Sequence, residues 1–157
     1  MNGASVALAA RVVLASALVV SAVAKLRAPA EVRRRVGAIT SDRLGAFAGP
    51  GLPAVELAVA VALVALWGPV PGVIALAMLA VFTVAVVRAQ ARHVPCACFG
   101  AGVSDAPPGA AAVVRNGVLA ALAVLAIGSP SGAEAGPTIA WCVGFGAVTA
   151  AAVRAAR

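Results

Sequence analysis

From Val70 to Val87 the chain runs without one charged side chain, and four further apolar stretches flank this one. A run of about 20 apolar residues matches the thickness of a bilayer's hydrocarbon core. In lipid a segment must satisfy its own backbone hydrogen bonds, so such runs fold as helices. Composition supports this reading. Hydrophobic residues make up 63% of the 157 positions and charged residues 11%, and the mean hydropathy is +1.07. Soluble domains average about 25% charged residues. A soluble enzyme, a disordered tail and a disulfide-dense secreted module are thereby excluded.

Five spans are expected, at about 4–24, 52–67, 70–89, 110–127 and 138–153, in one all-α bundle of four to five crossings. They form a single domain over 1–157, and no fixed-period repeat is visible. The stretches at 52–67 and 138–153 are short for a full crossing. Pro- and Gly-rich segments separate the spans: Ala48-Gly-Pro-Gly-Leu-Pro53, Gly68-Pro-Val-Pro-Gly72, Val94-Pro95, Ala106-Pro-Pro-Gly109 and Gly128-Ser-Pro-Ser-Gly132. The segment around 48–53 is expected to break the chain before the second span. Ala22-Val23-Ala24 resembles a leader cleavage site, but no basic residue precedes the run and Arg11 lies within it. The segment is therefore read as a retained span.

The net charge is +7. In a soluble chain this would suggest nucleic acid; here the basic residues lie in the connections, where they orient the protein and meet lipid headgroups. Lys25, Arg27, Arg33, Arg34, Arg35 and Arg43 follow the first span, Arg88 and Arg92 the third, and Arg154 and Arg157 the fifth. With five spans all of these fall on one side. The positive-inside rule makes that side cytoplasmic, with the N-terminus outside, in a plasma-membrane protein.

The sharpest local motif is His93-Val-Pro-Cys96-Ala-Cys98-Phe-Gly100. Three readings stand beside one another. A Cys-x-Cys disulfide closes a strained ring and so would be labile, as catalytic disulfides are; His93, Arg88 and Arg92 would favour the thiolate. The pair could instead hold a soft metal with His93 as third ligand. Or both cysteines are small apolar residues at a helix end. Cys142, in the fifth stretch, is read as packing.

Ionisable groups inside apolar helices are costly and mark functional candidates. Lys25 closes the first span, Glu56 lies roughly 6 Å into the second, and Arg115 opens the fourth from the same side. Glu56 is expected to face the bundle interior. For Lys25 and Arg115, pairing with Glu56 competes with snorkelling to the headgroups. Arg11, in the other leaflet, is expected to snorkel.

Taken together, Ser21-Ala-Val-Ala-Lys25-Leu, Leu52-Pro-Ala-Val-Glu56-Leu-Ala, Ala80-Val-Phe-Thr-Val-Ala, Cys96-Ala-Cys98-Phe-Gly100 and Arg115-Asn116 resemble, in that order, the MauE branch of the MauE/DoxX-like redox-associated membrane proteins. The resemblance implies a polytopic helical membrane protein linked to methylamine utilisation. It would support disulfide formation or maturation of methylamine dehydrogenase beside a thioredoxin-like partner. It marks Lys25, Glu56, Cys96, Cys98 and Arg115. That family's partner and client are expected outside the cytoplasm, whereas the charge pattern puts the cysteine pair inside. No nucleotide, haem or phosphate-loop motif is visible, and no cofactor is expected, although the chemistry admits a quinone. A non-catalytic anchor for a redox partner and a soft-metal handler are the competing functions.

Overall fold

The computed structural model describes residues 3–95 and 108–128. The cysteine motif from Cys96 onward, Cys142 and the expected span at 138–153 lie outside these residues.

Every regular element among the described residues is a helix: α1 (Gly3–Arg27), α2 (Pro29–Ile39), α3 (Asp42–Ala65), α4 (Val70–Ala91) and α5 (Ala110–Ile127). Four of them, α1, α3, α4 and α5, are long and apolar enough to cross a membrane. α1 packs between α3 and α5, and α4 packs on α5; α3 and α4 touch only lightly. Leu14, Leu18, Val59, Leu63, Leu79 and Leu119 meet in the core.

The interior face of each helix follows a three-four spacing. On α1 it holds Arg11, Leu14, Leu18, Ser21 and Lys25; on α4, Gly72, Ala75, Leu79, Phe82, Val86 and Ala89; on α5, Asn116, Leu119, Ala123 and Ala126. This is the seam spacing of left-handed helix packing. Between helices immersed in lipid, close packing replaces hydrophobic exclusion as the force of association, which favours small residues there.

Two expectations are corrected. The basic stretch after the first span is not a plain loop, because it folds into α2. The chain does not break at 48–53, because α3 starts at Asp42 and carries Pro50 and Pro53 inside it. Ser41 caps its start, its hydroxyl accepting from the Leu44 amide at 3.4 Å. The second span is thus a full-length helix of 24 residues, about 36 Å long. Each proline removes one helical hydrogen bond. Membrane helices tolerate that loss where neighbouring helices support the backbone, and α2 packs on this half of α3.

Gly45 and Gly49, one turn apart, make that packing close enough. A β-carbon on Gly45 would stand 2.5 Å from the Arg33 carbonyl oxygen, and one on Gly49 would stand 2.7 Å from the Arg33 side chain. Gly51 has open space around it. G45A should therefore separate α2 from α3 and lower the unfolding temperature in detergent. G51A should stabilise by about 0.5–1 kcal/mol, since alanine suits a helix better than glycine. Equal effects of the two substitutions would contradict this packing.

α2 carries its own ion pairs. Glu31 meets Arg34 at 2.7 Å and also pairs with Arg35. The hydrogen bonds from Arg34 and Arg35 hold the Glu31 carboxyl below the usual carboxylate range. The stability these contacts add is present above the unfolded carboxylate value and is lost as pH falls through the lowered folded one.

Candidate functional site

α1 ends two residues after Lys25, and α2 turns back at Pro29. The end of the bundle that holds the α1 C-terminus also holds the α4 C-terminus and the α5 N-terminus. Arg92, at the end of α4, donates to the Ala38 carbonyl at 3.0 Å. Gln90 donates to the Pro108 carbonyl at 2.8 Å, tying the exit of α4 to the entry of α5.

Lys25, Glu56 and Ser21 meet in the interior just within this end, and all three are fully buried. Lys25 Nζ lies 2.6 Å from Glu56 Oε1 and donates to Ser21 Oγ at 2.5 Å. The Ser21 hydroxyl in turn donates to Glu56 Oε1 at 3.2 Å. Ser21 and Lys25 are four apart on α1, so they share one face. The Phe82 ring lies below the ammonium, with its centroid 5.4 Å from Nζ, within cation–π range. Among the described residues, Glu56 Oε2 has no hydrogen-bond partner.

A second polar step adjoins the first. Asn116 is fully buried and donates to Thr83 Oγ1 at 3.4 Å. Thr83 follows Phe82 and donates to the Leu79 carbonyl at 2.8 Å. The Asn116 amide oxygen is also unpartnered among the described residues. Arg115 lies exposed on α5, yet its charge reaches Lys25.

The structure thus brings Lys25 and Glu56 into one ion pair and places Arg115 within electrostatic reach of it. Lys25 does not snorkel. A buried carboxylate and ammonium neutralise one another, and each desolvated charge requires the other. Two buried acceptor atoms without a donor are costly. Chemically they can take a hydrogen bond or a proton.

Ser21, Phe82, Thr83 and Asn116 belong to the motif pieces, but residue chemistry alone assigns them no role. The available signal is spacing. Ser21 falls on the Lys25 stripe and Asn116 on the Leu119–Ala123–Ala126 stripe.

At the opposite end the expectation for Arg11 is overturned. Its side chain is 2% exposed. Its guanidinium donates to the carbonyls of Leu66 at 2.7 Å, Leu63 at 3.4 Å and Ala126 at 3.4 Å, and to that of Gly68. Helix C-termini leave their last carbonyls unpaired, and Arg11 satisfies those of α3 and α5 together. Gly68, with φ +102°, makes the turn that presents its carbonyl, a conformation open to glycine.

His93, the third ligand of the metal alternative, closes α4. It sits at φ 52°, with its amide on the Gln90 carbonyl and the Val94 amide on the Ala89 carbonyl, both at 3.1 Å. This is a Schellman stop, which Pro95 then seals. His93 is thereby placed as a helix terminator on the surface, and Cys96 and Cys98 lie outside the described residues.

Comparison with known proteins adds one finding. No curated protein and no solved structure matches the chain. The family model described as methylamine utilisation protein MauE matches residues 3–129, a range that spans all five helices. With four membrane-length apolar helices in this order, the chain is a multi-pass membrane protein that belongs to the MauE family.

Proposed function

We propose that the protein is a membrane-embedded thiol–disulfide component in which Cys96 and Cys98 cycle between disulfide and dithiol. Lys25, Glu56 and Arg115 set the charge and handle the protons of that cycle. The observation that carries this reading is the buried Lys25–Glu56 pair with its open carboxylate oxygen. It lies at the bundle end where Pro95 leaves α4 and Pro108 leads into α5. The segment bearing both cysteines starts and finishes there.

The cycle balances as follows. A thiolate of a thioredoxin-like partner attacks one sulfur of the Cys96–Cys98 disulfide, giving a mixed disulfide and a thiolate on this chain. The partner's second thiolate then attacks the mixed disulfide and releases the other cysteine. Two electrons move to this chain, the partner gains a disulfide, and the two protons lost by the partner end on Cys96 and Cys98. A membrane quinone taking two electrons and two protons would restore the disulfide. The family's description supports a client within methylamine utilisation. The basic residues at this end support a cytoplasmic location for it in the plasma membrane.

Cys98→Ser or Cys96→Ser should trap a mixed disulfide with a thioredoxin-like protein, seen as a band that dithiothreitol removes. The same cysteines should resist a membrane-impermeant maleimide in intact cells. An unchanged thiol phenotype in C96S/C98S would contradict the redox role and favour the anchor. Stoichiometric metal lost on Cys96→Ser would favour the metal handler instead.

A further inference from the structure

The light contact between α3 and α4 leaves an apolar groove of about 420 Å³, lined by Ile39, Phe47, Leu52, Val55, Val81 and Phe82 among others. Phe47 is 80% exposed and Val81 66%, so the groove opens sideways, in the direction of the bilayer. Its size is in the range that holds a small organic ligand or a lipid chain.

Arginines gather at one end. Val81 and Ala85 line the groove on α4, and Arg88 and Arg92 continue the same face over the next two turns. Arg92 reaches the Ala38 carbonyl, next to groove-lining Ile39. Arg43 precedes Leu44, another lining residue. Asp42 is the nearby carboxylate on α3, and the three arginines outweigh it. An apolar channel at membrane depth ending in guanidinium groups complements one occupant: a chain tipped by an anionic head. Guanidinium forks match phosphate oxygens.

We infer that the groove between α3 and α4 is a binding site for one anionic phospholipid, its acyl chain against Val55, Val81 and Phe82 and its phosphate at Arg43, Arg88 and Arg92. Phe82 joins this site to the candidate centre, because the same ring lies below Lys25. The inference does not depend on the redox reading.

Tryptophan quenching tests it. In a W67F/W141F background, Val81→Trp reports on the groove and Val118→Trp, on the exposed face of α5, reports on bulk lipid. The full chain is placed in phosphatidylcholine vesicles, and brominated phosphatidylglycerol or brominated phosphatidylcholine is titrated in. At Val81→Trp the brominated phosphatidylglycerol should bind at least about five-fold more tightly, the factor expected for one basic residue near a membrane surface. At Val118→Trp the ratio should be near one. R88Q/R92Q should bring the Val81→Trp ratio to near one while the protein stays monodisperse. Equal ratios at both positions, or a preference that survives R88Q/R92Q, would overturn the site. Absence of quenching at Val81→Trp by either lipid would also overturn it, and would mean that protein, such as the apolar stretch at 138–153, covers the groove.

Discussion

Glu56→Ala should cost about 3–5 kcal/mol of stability, the penalty for leaving one charge of a buried pair without its partner. Lys25→Ala should cost a similar amount. The double replacement K25M/E56L should cost far less than the sum, because no charge is then left in the apolar interior. The coupling follows from the geometry. Both side chains are fully buried, 2.6 Å apart, on different helices. Ser21→Ala should cost about 2–3 kcal/mol, since it removes two hydrogen bonds to charged groups and leaves the charge pair intact. Unfolding in mixed micelles by increasing denaturing detergent measures all four variants. Additive losses would show that the two residues act independently, against the structure.

Arg11→Met should be the second large loss, at least about 3 kcal/mol, because hydrogen bonds from a charged donor contribute about 1.5–3 kcal/mol each. The methionine fills much of the same space but leaves the carbonyls of Leu63, Leu66, Gly68 and Ala126 without their donor. Arg11→Lys should recover only part of the loss. A compact ammonium cannot fork to acceptors on both α3 and α5 as a guanidinium does. The same denaturation measures it. A side chain that merely reached the headgroups would give Arg11→Lys full stability, so a neutral result would restore the snorkelling reading.

Why the sequence revealed some of this and not the rest is visible at particular residues. The apolar runs give the spans because their length and composition answer to bilayer thickness alone. They say little about which face turns inward. In a helix apolar all round, the contrast that reveals the buried side of a soluble helix is missing. The polar exceptions carry that information instead. Arg11, Leu18 and Lys25 are seven apart, one seam of α1. Once Glu56 demands a cation, Lys25 is placed inward, and the same spacing places Arg11 inward as well. Depth alone suggested otherwise for Arg11, because the acceptors that hold it are main-chain carbonyls, which no side-chain pattern announces. The prolines misled for a related reason. Pro50 and Pro53 break helices in water, but α3 continues through them beside α2. Gly45 and Gly49 are the local sign of that support.

The candidate site was legible as far as its charges. Lys25 and Glu56 form the pair, and Arg115 stands exposed at the start of α5, at the same end of the bundle. Ser21, Phe82, Thr83 and Asn116 complete the surroundings through contacts across α1, α4 and α5. Those contacts depend on the tertiary arrangement of several helices.

The central claim is that the Lys25–Glu56 pair serves the Cys96–Cys98 couple. Its most direct test is the rate at which dithiothreitol reduces the Cys96–Cys98 disulfide in detergent-solubilised protein, followed from pH 5 to 9. The wild type is compared with K25M/E56L, the variant expected to stay folded. General acid–base assistance contributes about a hundred-fold or more. K25M/E56L should therefore be slower by at least about ten-fold at neutral pH, with a pH dependence reduced to that of the dithiothreitol thiolate. Equal rates and superimposed pH profiles in the two proteins would contradict the claim and leave the ion pair a purely structural one.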